Sequence, residues 1–168
     1  MAKVAKKFLS TDPWVIEEKG FHAEHGEVSE SIFSLGNEFM GVRGYFDEGF
    51  SGERFVGSFF NGIFEEDVIN HAVNYKGLPR RFHFMVNSVD WLYTRIRSGK
   101  EELDLEKSKF SNFVRSLDLR DGILRRSFVW HAPEGDIRIE FERLLSMVRP
   151  HVGLQRIVLY PESFSGTL

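Results

Sequence analysis

The 168 residues are enough for one domain with a sizeable core, and 42% of them are apolar, which excludes an intrinsically disordered chain. The formal net charge is −3 and the basic residues are scattered, so the composition gives no electrostatic footprint for nucleic acid. The chain has no cysteine, which excludes disulfides, thiol catalysis and cysteine-bound zinc.

The first candidate site along the chain is a pair of histidines. His22 and His25 are three residues apart, and on a helix such a pair could meet on one face and hold a metal ion. No helical pattern surrounds them, and no third ligand has an obvious spacing. We therefore interpret this segment as a solvated loop and predict no metal site.

The stretch from Glu30 to Glu53 contains five glycines with aromatic residues between them. Their spacing fits neither the GxGxxG pattern of dinucleotide-binding loops nor the GxxxxGK[ST] pattern of phosphate-binding loops. Short apolar runs lie on both sides of Gly36-Asn37, and these two residue types tolerate the backbone angles of tight turns. The pattern indicates turns between short strands.

Carboxylates flank the aromatic segment that follows. Asp47 and Glu48 precede it, and glycoside hydrolysis needs carboxylates at set distances in a cleft, but acidic residues in solvated loops are the commoner case. In FFNGIF, apolar side chains surround Asn61-Gly62. We interpret this as a core hairpin with a type I′ turn, and the alternative is an aromatic tip that stacks on a sugar or on a partner domain.

Alternating apolar residues predict strands in the second half of the chain. RRFHFMV alternates, and VDWLYTRI would place Val89, Trp91 and Tyr93 on one side. GKEELDLEKSKF has no helical stripe, so we predict a polar excursion with about one turn.

Three successive antiparallel strands are predicted from Ser116 to Leu145. Asp121-Gly122 lies between two alternating runs, which is a strong hairpin signal, and HAPEGD separates the second run from a third. LQRIVLYP is a further apolar run closed by Pro161. Many short strands separated by turn signals favour a β-sandwich over a parallel α/β sheet.

Several segments, taken in order, resemble the N-terminal segment of glycoside hydrolase family 65, which includes maltose, trehalose, kojibiose and nigerose phosphorylases. They are WVIEEKGF, ESIFSLGNEFMGVRGYFDEG, GSFFNGIFEE, MVNSVDWL, LDLRDGILRRSFVW and ERLLSMVRPHVGLQRIVLYPES. One departure is Asn37-Glu38, where family members often have Asn-Gly. A glutamate with positive φ would be strained, so either the turn type differs here or the strain is tolerated.

The resemblance implies an all-β fold, an antiparallel super-β-sandwich of the galactose-mutarotase-like type. This sandwich would span residues 1–168 and be incomplete, because the family's sandwich is longer. The implied reaction is phosphorolysis with inversion, in which phosphate attacks the anomeric carbon of an α-glucoside while a glutamate protonates the leaving oxygen. In the family, this chemistry takes place in a later (α/α)6 barrel that is absent from this chain. No catalytic residue is therefore assigned here.

The resemblance also implies a role and partners. The domain would support the barrel, assist formation of a homodimer, and lend a loop to the rim of a site for an α-linked disaccharide. Phe59, Phe60, Asn61 and Gly62 are the first candidates for that rim, with Asp47 and Glu48 behind them. Inorganic phosphate would be a co-substrate of the whole enzyme, which would need no organic cofactor and no metal.

Two alternatives stay open at this point: a related hydrolase of the trehalase type, and a free-standing carbohydrate-binding module. The chain has no signal-peptide pattern and no window that approaches the ~20 apolar residues of a membrane span. We therefore expect a cytoplasmic protein with no membrane partner.

Overall fold

The computed structural model of the chain describes residues 7–70, 76–77 and 79–168, and these form an all-β structure with one short α-helix. The elements are β1 (Leu9–Thr11), β2 (Val15–Lys19), a 3-10 turn (Ala23–His25), α1 (Gly26–Ile32), β3 (Leu35–Gly36), β4 (Met40–Val42), β5 (Ser58–Phe60), β6 (Phe64–Val68), β7 (Arg81–Met85), β8 (Arg97–Ser98), β9 (Glu101–Glu102), β10 (Phe110–Asp118), β11 (Ile123–Ala132), β12 (Gly135–Leu145) and β13 (Gly153–Pro161). In the described part of the chain, no helix is long and apolar enough to cross a membrane.

A six-stranded antiparallel sheet forms the body of the domain, in the order β1-β2-β10-β11-β12-β13. The predicted strands from Ser116 to Leu145 are confirmed as the adjacent hairpins β10–β11 and β11–β12. Gly122 has a φ of 63° in the first turn, which explains why Asp-Gly occurs there. The apolar run that follows forms β13, as predicted. Three smaller sheets, β3-β4-β5, β6-β7 and β8-β9, accompany the main sheet.

The two faces of the main sheet differ, as the alternation of apolar and polar residues predicts. One face carries charged side chains joined in ion pairs, such as Arg125 and Arg156 with Glu142. The other face holds the core. Its buried members include Phe113, Phe128, Trp130, Ile137, Ile139 and Phe141.

The core is completed by chain outside the main sheet. Phe46 and Phe50 pack on it from the glycine-rich stretch, and Leu103 and Leu105 pack on it from the segment before β10. Both leucines are buried, so the prediction of a polar excursion at this segment is wrong in that respect. Leu103 and Leu105 therefore close the core from a segment that forms neither a helix nor a long strand.

The predicted strand in VDWLYTRI does not form. Residues 89–96 have no strand assignment, because their backbone groups bond elsewhere: the Leu92 amide donates to Asp90 Oδ1 and the Thr94 amide donates to Asp47 O. The buried side chains are also not those of the predicted stripe Val89, Trp91 and Tyr93. Leu92 and Ile96 are buried, whereas Val89 and Tyr93 are exposed.

The Gly36-Asn37 turn is confirmed between β3 and β4, and its geometry resolves the Glu38 departure. Asn37 Oδ1 accepts hydrogen bonds from the amides of Phe39 and Met40 at 2.9 and 2.8 Å. Among the described non-glycine residues, Asn112 alone has positive φ, so Glu38 is not strained. The turn is therefore held by an asparagine side chain and does not need glycine after it.

Candidate functional site

In the aromatic segment Phe59–Gly62, Phe59 and Phe60 end β5 and are half-buried, whereas Asn61 and Gly62 form an exposed turn that leads to a second sheet. β5 pairs with β4 on one side of the turn, whereas β6 pairs with β7 on the other. Gly62 has a φ of 86°, and Asn61 does not have positive φ. A type I′ turn needs positive φ at both central residues, so the prediction of a core hairpin with that turn is wrong.

The base of this turn is fixed by an aromatic cluster. The Phe60 ring lies 6.0 Å from the Phe39 ring, which in turn lies 4.0 Å from His151 between ring centroids. The Asn61 amide donates to Phe39 O. Asn37 Nδ2 donates to Ser146 O at 2.8 Å, which ties the β3–β4 turn to the β12–β13 connection.

The tip of the turn is free to make contacts. Asn61 and Gly62 are exposed, and no described group hydrogen-bonds the side-chain amide of Asn61. Ile63 and Phe64 follow as exposed apolar residues, and Met85, also exposed, lies opposite Phe64 in the β6–β7 pair. The tip thus offers an amide beside apolar surface, which suits contact with a sugar or with another protein surface.

Asp47 and Glu48 do not lie in a solvated loop, so that expectation is wrong. Both are buried against Arg126 of β11, whose Nη1 donates to Glu48 Oε1 at 2.5 Å and whose Nη2 lies 3.2 Å from Asp47 Oδ2. Arg143 Nη2 lies 2.9 Å from Asp47 Oδ1, and Gln155 Nε2 donates to the same oxygen at 2.7 Å. The two carboxylates are fully engaged by protein groups.

The electrostatics of this cluster favour the charged forms. Burial by itself raises the pKa of Asp47, but Arg143 and Arg126 outweigh burial and hold that pKa below its usual range. Burial lowers the pKa of Arg126, but Glu48 and Asp47 outweigh it and raise that pKa. A carboxylate held ionised in this way cannot serve as a general acid, so the cluster is structural.

Arg115 of β10 forms a second buried ion pair on the same face of the sheet. Its Nη2 donates to Glu18 Oε2 at 2.6 Å, and that oxygen also accepts from Ser29 Oγ at 3.0 Å. Arg115 Nη1 donates to Gly44 O at 3.0 Å. A Cβ at Gly44 would lie 2.7 Å from the Cβ of Phe33, so the close approach of the chain requires glycine.

Arg143 of β12 completes the set. Its Nη1 donates to Arg43 O and its Nη2 donates to Tyr45 O, both at 2.9 Å. Neighbouring strands thus supply three arginines that hold residues 43–48 on the sheet. The glycine-rich stretch is therefore part of the core packing, and the arginines bind the chain's own carbonyl and carboxylate oxygens.

Sequence reasoning missed these three arginines, although the sequence carries a signal for them. Arg115, Arg126 and Arg143 each occupy an inward-facing position, between apolar residues two places before and two places after. A charge at such a position predicts a buried ion pair or a binding group.

The histidine pair does not form a metal site. His22 Nδ1 lies 3.2 Å from Glu18 Oε1, whose carboxylate is already bound to Arg115, and His25 stacks on Phe8 at 4.2 Å. Within the described residues, no group of three or more His, Cys, Asp or Glu side chains could hold a metal ion. The segment is also helical, so the prediction of a loop there is wrong.

Comparisons with a family model and with curated proteins agree with one another. Residues 16–168 match the model of "Glycosyl hydrolase family 65, N-terminal domain". The chain is 32% identical to maltose phosphorylase of Bacillus subtilis over 86% of its length and 29% identical to α,α-trehalose phosphorylase of Thermoanaerobacter brockii over 99%. It is 33% identical to kojibiose phosphorylase of Thermoanaerobacter brockii over 95% of its length.

A solved structure from the human microbiome, provisionally named a kojibiose phosphorylase, is 44% identical and matches with a TM-score of 0.85 over 94% of this chain and 21% of that one. The chain spans about a fifth of the length of the curated relatives it matches, with 19%, 22% and 19% of the three proteins covered. These matches agree with the all-β antiparallel architecture. The chain therefore belongs to glycosyl hydrolase family 65 and corresponds to the N-terminal domain of that family.

Proposed function

We propose that this chain is the non-catalytic N-terminal domain of an inverting disaccharide phosphorylase acting on an α-glucosyl disaccharide such as maltose. The observation that carries the proposal is its similarity, over most of its length, to phosphorylases named for three different disaccharides. The chain spans about a fifth of each of those relatives, and it matches the model of an N-terminal domain.

The charges inside the domain support a structural role. The carboxylates Asp47 and Glu48 are buried and bound to arginines of the main sheet, as expected of groups that hold the domain together. The acid and the phosphate site of the reaction would lie in the rest of the enzyme, in an (α/α)6 barrel. The phosphate co-substrate would take the place of both the water and the base of an inverting hydrolase.

The exposed turn Phe59–Gly62 is the part of the domain that we propose lies at the interface with the barrel. Its base is immobilised by the Phe39 and Phe60 rings, and its tip presents the free amide of Asn61. A preorganised tip loses little conformational entropy on contact. The part that we propose for Asp47 and Glu48 is to anchor the segment that precedes the turn.

Phosphate dependence distinguishes this function from hydrolysis. In a protein that joins this domain to its barrel, cleavage of maltose, trehalose or kojibiose should require inorganic phosphate and release glucose 1-phosphate. The product should have the β configuration, because attack from the opposite face inverts the anomeric carbon. Equal cleavage in phosphate-free buffer, with free glucose as the sole product, would assign the domain to a hydrolase of the trehalase type.

A further inference from the structure

A groove of about 400 Å³ has no residue of the Phe59–Gly62 turn in its lining and is not used by the function proposed above. Residues 48–51 and Arg54 form one wall, and residues 102–104 form the other, with Asp90 and Tyr93 between them. Its volume is within the range of about 300–1,000 Å³ that is typical of small-molecule sites.

The aromatic ring in this groove is exposed but held in place. Tyr93 is 52% exposed, whereas the preceding Leu92 is fully buried and the Thr94 amide donates to Asp47 O at 2.8 Å. The ring lies over Gly49, where an added Cβ would approach Tyr93 Cε2 to 3.0 Å. Gly49 has a φ of 83°, so this position favours glycine for two reasons. The groove thus contains a preorganised aromatic platform.

Two carboxylates of the groove are occupied by protein donors. Glu102 is paired with Arg95 and Arg97, and these hydrogen bonds lower its pKa to about 2. Asp104 Oδ1 accepts from the Ser51 amide at 3.2 Å, and its Oδ2 lies 3.2 Å from a lysine ammonium. These two residues shape the wall but offer little capacity for a ligand.

Three other polar groups are free. Asp90 Oδ1 accepts from the Tyr45 hydroxyl at 2.8 Å, which orients the carboxylate, but no described group donates to its Oδ2. The guanidinium of Arg54 and the hydroxyl of Tyr93 likewise have no hydrogen-bond partner among the described residues. The groove therefore presents an acceptor, a planar donor and a hydroxyl around one exposed ring.

We propose that this groove binds a neutral pyranose, such as one glucosyl unit of an α-linked disaccharide. The C–H face of a pyranose stacks on an aromatic ring, and its hydroxyls can donate to Asp90 and accept from Arg54. Among the described residues that line the groove, Asp90, Glu102 and Asp104 are acidic and Arg54 alone is basic, so a phosphorylated sugar is disfavoured by charge. Binding to the 168-residue chain alone does not require the activity proposed above, so the two proposals can fail separately.

Heteronuclear NMR titration of the 168-residue chain with maltose tests the proposal. Amide signals of Gly49, Ser51 and Tyr93 should shift in a saturable manner, with a dissociation constant in the millimolar range. Tyr93→Ala should weaken binding about tenfold or more, while Tyr93→Phe keeps the ring and should cost about threefold or less. Arg54→Gln should also weaken binding, and it leaves the ring untouched.

Trp14→Ala is the matched control, because Trp14 is a similarly exposed aromatic that lies under Arg120 outside the groove. It should leave maltose binding unchanged. Three results would overturn the proposal: no saturable shift at the groove, equal affinity for folded Tyr93→Ala and the unaltered chain, or tighter binding of glucose 1-phosphate than of maltose. Thermal unfolding of each variant confirms that it is folded before titration.

Discussion

Arg125 and Arg126 are neighbours in β11 whose side chains lie on opposite faces of the main sheet. The Arg126 side chain is 5% exposed and bound to Asp47 and Glu48, whereas the Arg125 side chain is 42% exposed and paired with Glu142. Arg126→Met should lower the free energy of unfolding by about 3–5 kcal/mol, because it leaves buried carboxylates without their cation. Urea unfolding monitored by tryptophan fluorescence measures this change.

Arg125→Met is the control, since it removes the same group one residue away. An exposed ion pair contributes about 0–1 kcal/mol, so this variant should be nearly neutral. Equal losses in the two variants would show that the buried cluster does not hold the domain together. A neutral Arg126→Met would show the same.

Asp47 gives the domain a dependence on pH. Its pKa in the folded state is below its usual value, so its contribution to stability is present above the unfolded pKa of about 3.9 and is lost as pH falls through the folded pKa. Asp47→Asn should therefore unfold with less dependence on pH below about pH 5, where the contribution of Asp47 is lost. The measurement is the urea midpoint at each pH.

Glu30 is a control, because its contribution to stability changes with pH in the opposite direction. Burial raises the pKa of Glu30, so its contribution favours the folded state at low pH and is lost as pH rises through the folded pKa. Glu30→Gln should make the loss of stability toward acid steeper. If both variants followed the pH profile of the unaltered chain, neither carboxyl would control the transition.

At the scale of elements, the hairpins β10–β11 and β11–β12 could be predicted because two local signals agree. The alternation in Ile137, Ile139 and Phe141 sets the face, and Asp121-Gly122 sets the turn. What the pattern did not predict is the arginine at an inward position of each strand. The partners of these arginines come from segments about 80 to 100 residues away, such as Glu48 for Arg126 and Glu18 for Arg115, and no local pattern carries that pairing.

The helix α1 was missed because its buried side is polar. Ser29 and Glu30 are its buried residues, and they bond Glu18 and the Phe55 amide, so no apolar stripe marks the helix. The strand predicted over VDWLYTRI failed for a related reason. Leu92 and Ile96 are core members, but the Leu92 amide donates to Asp90 Oδ1 and the Thr94 amide donates to Asp47 O, so this segment does not pair as a strand.

The turn between β5 and β6 yields a prediction for the proposed phosphorylase. Asn61→Ala should lower kcat/KM about tenfold, which corresponds to the loss of one hydrogen bond worth about 1–1.5 kcal/mol. The melting point should not change, because no described group bonds the Asn61 side chain. Steady-state phosphorolysis of maltose is the assay.

Asn70→Ala serves as the control, since Asn70 is an exposed asparagine just beyond β6. It should leave kcat/KM unchanged. Unaltered kinetics in a normally folded Asn61→Ala would remove the turn from the proposed interface.

At the scale of the whole molecule, β13 lies at an edge of the main sheet with unpaired backbone groups among the described strands. Leu154 on this strand is 53% exposed. We predict that the 168-residue chain self-associates, because edge strands with exposed apolar side chains pair with other copies. A closed two-fold pair through β13 is favoured, because it leaves neither β13 edge free. Sedimentation velocity at rising concentration measures the association.

A lysine on an edge strand opposes such pairing, so Leu154→Lys should shift the distribution toward monomer. Leu119→Lys is the matched control, because Leu119 is 48% exposed in the β10–β11 turn. A chain that stays monomeric at high micromolar concentration would contradict the prediction. So would an equal effect of the two variants.

The central claim is that this domain supports catalysis without performing it, and release of glucose 1-phosphate tests this most directly. The purified 168-residue chain is incubated with maltose, trehalose or kojibiose and inorganic phosphate, beside the longer protein that includes the barrel. We predict release at the level of the buffer blank from the chain and phosphate-dependent release from the longer protein. Release by the chain alone, at a rate proportional to its concentration and retained through further purification, would contradict the account.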